Sequence, residues 1–533
     1  MKFKSFVVLL FLIGAAGYGQ QDAWVYFQDK PDAAFFLSNP LEMLSQRALD
    51  RRVSQNIALD EKDVPVHENY ISGLQQSAGI TVMAVSKWLN AAHVRGEAAQ
   101  IAALTNLTYV ASIDFADNVL DAPGSRLRPE VPTARQQQAQ VTYPYGASAN
   151  QVQMLNGHLL HEQNLTGTGI WIAVLDAGFP GVDSSAPFQR LRDNGLILGG
   201  YDFVSGSENF YAGGNHGTVV LSTMGAYVED QLIGTAPDAS YYLFVTEDVT
   251  SENPVEESYW AEAAERADSL GVNIITSSLG YRSFDNPAYN YTYAGMDGQT
   301  TFVTRAAEVA FSRGMVVVAS AGNSGASGDP HIMAPSDGAH VLCIGAVDSA
   351  ENYAGFSSTG PSADGRIKPD VVAKGSGATV SGVSGTVSTL SGTSFSCPII
   401  AGMVACLWQA LPDKTNQQII DFVRQSADQF AMPDALKGYG VPDFQLALQQ
   451  ALSSPETAIP SVSFYPNPAS ASIRFTLAED DSGELHVKNS LGQDVLSEVI
   501  GNSPIDIGFL ASGIYFYELK TKTGISTGKI LKQ

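Results

Sequence analysis

Ser391-Gly392-Thr393-Ser394-Phe395-Ser396-Cys397-Pro398 interrupts a polar, glycine-rich stretch and opens the apolar run Ile399 to Leu411. A serine at the start of an apolar helix is a preferred N-cap, and Pro398 is expected within about the first turn, where its missing N–H is tolerated. The same helix N-terminus presents unpaired N–H groups and a partial positive charge, which favour an oxyanion forming beside a serine hydroxyl. The stretch alone leaves Ser394 open between a cap and a nucleophile. The residues around it decide.

Working outward, strands alternate with helices from about Tyr143 to Ala451. The apolar runs Ile170 to Leu175, Tyr241 to Val245, Val272 to Ile275 and Met315 to Ser320 read as strands. Thr218 to Tyr227, Val255 to Leu270 and Thr300 to Ser312 read as helices, the last two closed by Gly271 and Gly314. Near-continuous apolar strands separated by helices predict an α/β domain whose mostly parallel sheet is covered on both faces. Ligand sites of such sheets gather outside the carboxyl ends of the strands. Asp176, Asn323 and the run Ser277-Ser278-Leu279-Gly280 fall there.

The flanks differ in composition. Residues 1–19 have the layout of a cleaved secretion signal, with Lys2 and Lys4 before the apolar run Phe6 to Ala16. Residues 20–140 read as a small α+β module and a linker, with strands at Val82 to Val85 and Leu107 to Ile113 and a helix at Gly96 to Leu104. The linker, Asp121 to Gln140, holds three prolines and a glutamine run, and such exposed connections are where proteolytic cuts concentrate. Residues 141–452 are the α/β domain. Residues 453–533 begin with a Ser/Pro-rich linker and continue as short alternating segments, Phe464 to Pro468, Ile473 to Leu477, Leu485 to Val487 and Ile514 to Leu519, which predict a small β-sandwich.

At 533 residues the chain predicts two to four units. A net charge of −24 and a pI near 4.6 argue against nucleic acid as a partner, because phosphates are met with Lys and Arg. No later stretch supplies the ~20 apolar residues of a spanning helix, so the reading is export without a membrane anchor. Of the three cysteines, Cys343, Cys397 and Cys406, the last two share one predicted helix, and nine residues at ~1.5 Å rise separate them beyond disulfide reach. Buried free thiols are expected. His158 and His161, at i and i+3, could face one side of a helix as metal ligands, but no nearby carboxylate or thiolate completes a set, and a core or solvated helix face accounts for them equally.

Nucleophilic serine chemistry needs a base within reach, a group that fixes the base's tautomer, and donors for the oxyanion. His216, in Asn215-His216-Gly217-Thr218, is the candidate base. Asp176 would orient it, and Asn323, in Ser320-Ala321-Gly322-Asn323, would offer its amide to the oxyanion beside the Ser394 N–H. Singly, each also reads as a solvated loop residue or a turn former. Together they sit at element ends of one domain in the order Asp176, His216, Ser394, which of the three common triad orders is the subtilisin one.

On these motifs, Val174-Leu175-Asp176-Ala177-Gly178, His216-Gly217-Thr218, Ser320-Ala321-Gly322-Asn323 and Gly392-Thr393-Ser394, the stretch from about 143 to 451 resembles the subtilisin-family (subtilase) serine peptidases. The resemblance implies a subtilisin-like fold and a secreted serine endopeptidase made as a self-processed precursor, with an Asp-His-Ser triad and an acyl-enzyme intermediate. It implies that Ser278-Leu279-Gly280 forms an edge on which substrate backbone pairs as an added strand. No cofactor is needed for the chemistry; structural calcium is common in the family, with no ligands assignable here. Ala177 stands where the family usually has Ser or Thr, and Phe395 and Cys397 replace its usual Met and Thr.

Residues 20 to 120 resemble a pro-segment that assists folding and blocks the cleft as an intramolecular inhibitor. From about 460, Phe464-Tyr465-Pro466-Asn467-Pro468, Leu491-Gly492-Gln493 and Ser512-Gly513-Ile514-Tyr515 resemble the C-terminal sorting domain of the type IX secretion system. That implies passage through the periplasm and outer membrane to the cell surface or medium. Two rivals stand beside this reading. A sedolisin-like carboxyl peptidase shares the Ser-Gly-Thr-Ser motif but uses Glu as base, and His216-Gly217-Thr218 argues against it. A binding protein on an inactive peptidase fold has no need of all four groups.

Overall fold

The computed structural model describes residues 19–117, 143–453, 463–465, 467–476, 482–489, 493–501, 503–521 and 524–533. The expected secretion signal and the Asp121 to Gln140 linker lie outside the described residues, apart from Gly19. The chain divides into two compact units, one through Gln449 and one from Gln450.

The first unit opens with β1 (Gln21–Phe27), α1 (Ala33–Ser38), α2 (Gln46–Ser54), α3 (Glu68–Gln75), β2 (Thr81–Ser86), β3 (Ala91–Gly96), α4 (Ala98–Ala103) and β4 (Val110–Phe115). These four strands form one antiparallel sheet in the order β2-β3-β1-β4. The sequence reading missed β1 and β3. β1 lacks a polar face: Ala23, Val25 and Phe27 pack on Leu74 and Ile101 of α3 and α4, while Trp24 turns the other way, into the core of the following domain. The helix expected over Gly96 to Leu104 begins at Ala98, after a capping box between Glu97 and Gln100, and Gly96 ends β3 instead.

The α/β domain runs α5 (Ala149–Gln153), α6 (His158–His161), β5 (Trp171–Asp176), α7 (Gln189–Asp193), β6 (Ile197–Asp202), α8 (His216–Gly225), the hairpin β7 (Tyr227–Val228) and β8 (Leu232–Ile233), β9 (Ser240–Val245), α9 (Val255–Leu270), β10 (Ile274–Ser277), α10 (Phe302–Ser312), β11 (Val316–Ser320), β12 (Leu342–Val347), β13 (Val371–Lys374), the hairpin β14 (Ala378–Ser381) and β15 (Val387–Leu390), α11 (Thr393–Ala410), α12 (Asn416–Gln425) and α13 (Phe444–Ser453). Seven strands make one sheet, β13-β12-β11-β10-β5-β9-β6, with every neighbouring pair parallel. β10, β11, β12 and β13 are buried along their whole length, which is why they read as continuous apolar runs rather than alternating ones. α11 is apolar from Cys397 through Trp408 for the same reason: Thr393 through Trp408 are all buried, against the sheet and α8.

The first module packs on α9 and α10. Trp24 stacks on Phe302 at 5.0 Å, its indole N–H donates to Ser258 Oγ (2.9 Å), and Trp88 joins the cluster of Trp260, Ala261 and Ala264. Glu262 and Glu265 of α9 accept the N–H groups of Val85 (2.6 Å), Lys87 (3.0 Å) and Trp88 (3.0 Å). Burial pushes the Glu262 carboxyl up to about 8 and raises that of Glu265.

The second unit holds β16 (Ser463–Tyr465), β17 (Ser472–Thr476), β18 (Gly483–Lys488), β19 (Asp494–Ile500), β20 (Ile505–Asp506), β21 (Gly513–Thr521) and β22 (Gly524–Lys532). Two sheets, β16-β17-β20 and β19-β18-β21-β22, share one apolar cluster that includes Ile473, Phe475, Leu485, Val487, Leu519 and Ile530. A small β-sandwich was expected here, and the strand-rich architecture agrees with it.

Candidate active site

Asp176 is the last residue of β5, an interior strand of the sheet between β10 and β9, and its side chain is wholly buried. Its Oδ1 accepts the Ala177 N–H (2.7 Å) and receives His216 Nδ1 at 2.8 Å. His216 is the first residue of α8. Gly217 permits this approach, because a Cβ there would come within 2.6 Å of Gly178 O and 2.9 Å of Asp176 Cβ. The charge of Asp176 raises the His216 pKa above its ordinary value; burial opposes the rise, and the hydrogen bond and the charge of Glu247 add to it. Asp176 Oδ2 is buried with no hydrogen-bond partner among the described residues, and the neighbouring Ala177 has no hydroxyl to offer.

Ser394 is the second residue of α11, after Thr393, with Gly392 at the N-cap position. The capping reading of Ser394 is therefore corrected: it sits inside the first turn, where its own N–H is one of the unpaired helix donors. Pro398 lies deeper than expected, as the sixth helical residue. A proline there cannot donate to the carbonyl four residues earlier, which is that of Ser394. Ser278 Oγ–H fills the gap, donating to Ser394 O at 2.8 Å. The hydroxyl after β10 thus fastens the backbone of the serine.

Asn323 follows Gly322 at the carboxyl end of β11, and Gly322 holds a left-handed φ of +104°. Asn323 Oδ1 accepts the Thr393 N–H (2.9 Å) and the Thr393 hydroxyl (3.2 Å), while that hydroxyl accepts the Gly322 N–H (3.2 Å). With its oxygen taken by Thr393, the amide keeps Nδ2 as its donor end beside Gly392; both amide atoms lie 3.7 Å from where a Cβ on Gly392 would stand. The Phe395 ring stands 6.4 Å from the His216 imidazole and packs with Val219 and Val380, so the residue after Ser394 walls the histidine.

The structure therefore brings Asp176, His216, Ser394, Asn323 and Ser278 into one cluster at the carboxyl ends of β5, β10 and β11. Leu279 and Gly280 continue from Ser278; among the described residues they pair with no strand, and Leu279 O accepts the Ser320 hydroxyl at 3.5 Å. Two contributors went unnoticed in the sequence. Thr393 fixes the face that Asn323 presents. Glu247, two residues beyond β9, accepts from Tyr281 (2.6 Å) and Thr246 (2.9 Å), and burial pushes its carboxyl up to about 7. Its place past a strand's carboxyl end is the signal that singled out Asp176.

Elsewhere, His161 spends both ring nitrogens on Tyr145 Oη (2.7 Å) and Thr235 O (2.9 Å), and burial lowers its pKa to about 4. The His158/His161 pair is thus part of the core. Among the described residues no group of three or more His, Cys, Asp or Glu is arranged to hold a metal ion. Cys343, Cys397 and Cys406 are free and buried.

Residues 167–441 match the Subtilase family. Subtilisin from Bacillus pumilus is 32% identical over 287 residues, 53% of this chain and 91% of that protein. The chain belongs to the subtilase family. Subtilisin E of Bacillus subtilis (strain 168) is 32% identical over 287 residues, and this subtilase spans 66% of its length; M-protease of Shouchella clausii is 31% identical over 268 residues, 61% of that protein. Flanking the subtilase domain, residues 22–133 match the Peptidase S8 propeptide domain of Bacteroidota, and residues 463–533 match the secretion system C-terminal sorting domain. That tail marks the subtilase for type IX export to the cell surface or the extracellular space.

Proposed function

We propose that the chain is the precursor of a secreted serine endopeptidase that hydrolyses peptide bonds in proteins through an Asp-His-Ser triad. Ser394 Oγ attacks the scissile carbonyl carbon as His216 takes its proton. Asp176 holds the His216 Nδ1–H and stabilises the imidazolium, and the tetrahedral oxyanion is met by the Asn323 amide and the Ser394 N–H. His216 then returns the proton to the leaving amine, and water hydrolyses the resulting acyl-Ser394. Substrate backbone pairs as an added strand along Ser278-Leu279-Gly280. No cofactor enters these steps.

The observation that carries the reading is the 2.8 Å contact of His216 with a wholly buried carboxylate beside the helix that Ser394 opens. A surface histidine has no need of such a partner, whereas a general base does. Residues 20–140 are read as the inhibitory pro-segment with its linker, removed by self-cleavage. Residues 141–452 are read as the peptidase domain, and 453–533 as the linker and sorting domain that the secretion machinery recognises.

The test is covalent. The processed protein is treated with a fluorophosphonate and the adduct is located by mass spectrometry. Labelling of Ser394 that disappears in His216→Ala is the expected result. An unlabelled Ser394 in folded, pro-segment-free protein would overturn the proposal.

A further inference from the structure

We propose that the pro-segment excursion between β1 and β2, through α2 to Asp63, is a second anchor on the peptidase domain, remote from the cleft, that keeps a severed pro-segment bound. The inference rests on the reading of residues 20–140 as an inhibitory pro-segment.

α2 docks at the edge of the sheet opposite the candidate site. Its contacts are the segments that lead into β5, β10 and β11, whereas Asp176, Ser278 and Asn323 lie at or beyond the other ends of those strands. The six residues of β5 at ~3.3 Å rise put the two sites ~20 Å apart. Arg47 lies over the Trp171 ring at 4.1 Å and donates to Gly169 O (2.9 Å), Gly271 O (3.0 Å) and Asn273 Oδ1 (2.7 Å). Ser45 N–H donates to Ser269 O at 2.8 Å, and Gln55 bridges Gly314 O (2.9 Å) and the Asn416 N–H (2.9 Å).

Beneath these contacts is a cluster of mostly buried charges, in which Arg52 Nε and Nη1 have no hydrogen-bond partner among the described residues. Arg51 pairs with Asp268 at the end of α9 and also donates to Val272 O and, at 3.2 Å, to Arg313 O. Arg52 meets Asp268 (2.7 Å) and Asp63 (2.9 Å). Arg313, after α10, reaches back to Asp63 (3.3 Å) and Asp60 (2.9 Å). Three arginines face three aspartates. The pro-segment supplies Arg51, Arg52, Asp60 and Asp63, and the peptidase domain supplies Asp268 and Arg313. All but Asp60 are buried. Arg51 also reaches carbonyls at the carboxyl ends of α9 and α10, Asp268 O (3.4 Å) and Arg313 O (3.2 Å), where helix dipoles favour cations.

Buried charge networks add little net stability over apolar packing, but losing one partner leaves an uncompensated charge and is costly. The network therefore acts as a lock of high specificity. A cut between residues 117 and 143 frees the end of the pro-segment that leads to the peptidase domain and leaves the anchor untouched.

The experiment uses the full-length chain carrying Arg51→Met and Arg52→Met. Both positions are absent from the mature enzyme, so kcat and KM after complete activation stay at the wild-type values. Two quantities are read: co-elution of the severed pro-segment with the peptidase domain in size-exclusion chromatography, and the lag before peptide hydrolysis. The pro-segment is expected to dissociate at least about 10²-fold faster, with the lag shortened to match. Asp60→Asn, which removes one exposed arm of the network, serves if the double variant does not fold; its expected effect is about two- to fivefold.

Wild-type retention in the folded double variant would overturn the anchor, as would wild-type retention in Asp60→Asn when the double variant yields no folded protein. A wild-type chain that neither cuts itself nor hydrolyses peptide would count against the peptidase reading instead. The anchor is then tested by co-elution alone after limited trypsin cleavage at Arg126 or Arg135.

Discussion

Replacing Asn323 by alanine separates catalysis from binding at this site. The side chain has two ends with different duties. Oδ1 holds Thr393 through its N–H (2.9 Å) and hydroxyl (3.2 Å), and in the proposed mechanism Nδ2 donates to the oxyanion. Alanine removes a donor that acts only once negative charge develops, so kcat should fall about 10²–10³-fold, or about 2.7–4 kcal/mol, with KM nearly unchanged; this is the size seen when a subtilisin loses its oxyanion amide. The fold should lose about 1–3 kcal/mol, because the N–H and hydroxyl of the buried Thr393 both give up an acceptor. Thr393→Ala provides the internal control. It leaves Nδ2 in place but removes one of the two bonds that aim it, so a loss of about tenfold in kcat, or ~1.4 kcal/mol, is expected. Both variants are assayed on a peptide substrate, with active sites counted by fluorophosphonate titration, beside a thermal melt. An Asn323→Ala enzyme with kcat within threefold of wild type, or one whose loss lies entirely in KM, would refute the assignment.

Three further outcomes are expected. First, kcat/KM should rise with pH through a midpoint above the ordinary imidazole value, because only neutral His216 accepts a proton and the Asp176 and Glu247 charges hold it protonated longer; Glu247→Gln should move the midpoint down in a pH–rate profile. Second, pro-segment release should speed up from pH 5 to pH 8. Burial in the complex keeps Glu262 protonated up to about 8, while a carboxyl exposed to water ionises near 4.5, so binding is full below 4.5 and is lost as pH rises toward 8; Glu265 acts in the same direction, and Glu262→Gln should flatten the dissociation rate against pH. Third, Ellman's reagent should find no reactive thiol in the native protein and three after denaturation, since burial pushes the Cys343 and Cys397 thiols up to about 12 and raises that of Cys406 well above its ordinary value.

Much of the architecture was legible because its signals are local. Val255–Leu270 could be bounded to the residue, since a stretch rich in the helix formers Ala and Glu, stopped by a glycine that takes φ +90° at Gly271, is a complete helix signal in one dimension. The parallel sheet followed from buried strands that carry no polar face. β1 was missed for a related reason: both of its faces are covered, one by its own helices and the other by a neighbouring domain, and no local pattern announces a partner 230 residues away. Pro398 was placed in the first turn because the helix start was set at Ser394's neighbourhood without knowing that Gly392 caps it. The consequence of that proline, a free Ser394 carbonyl taken by Ser278 from another strand end, is a contact across 116 residues.

By itself the sequence determined which groups are present and in what order: a serine opening an apolar helix, a histidine followed by glycine, an aspartate ending a strand, and flanking segments of different composition. Residue types and short-range spacing carry that information because propensity, capping and burial periodicity act over a few residues. Only the tertiary structure decided that Asp176 is buried against His216, that Thr393 holds the Asn323 amide by its oxygen, and that Arg51 and Arg52 join a charge network with Asp268 and Arg313. Those are pairings between distant positions, set by how the sheet and its helices pack, and the energy of a charge depends on the partner and the dielectric that packing provides.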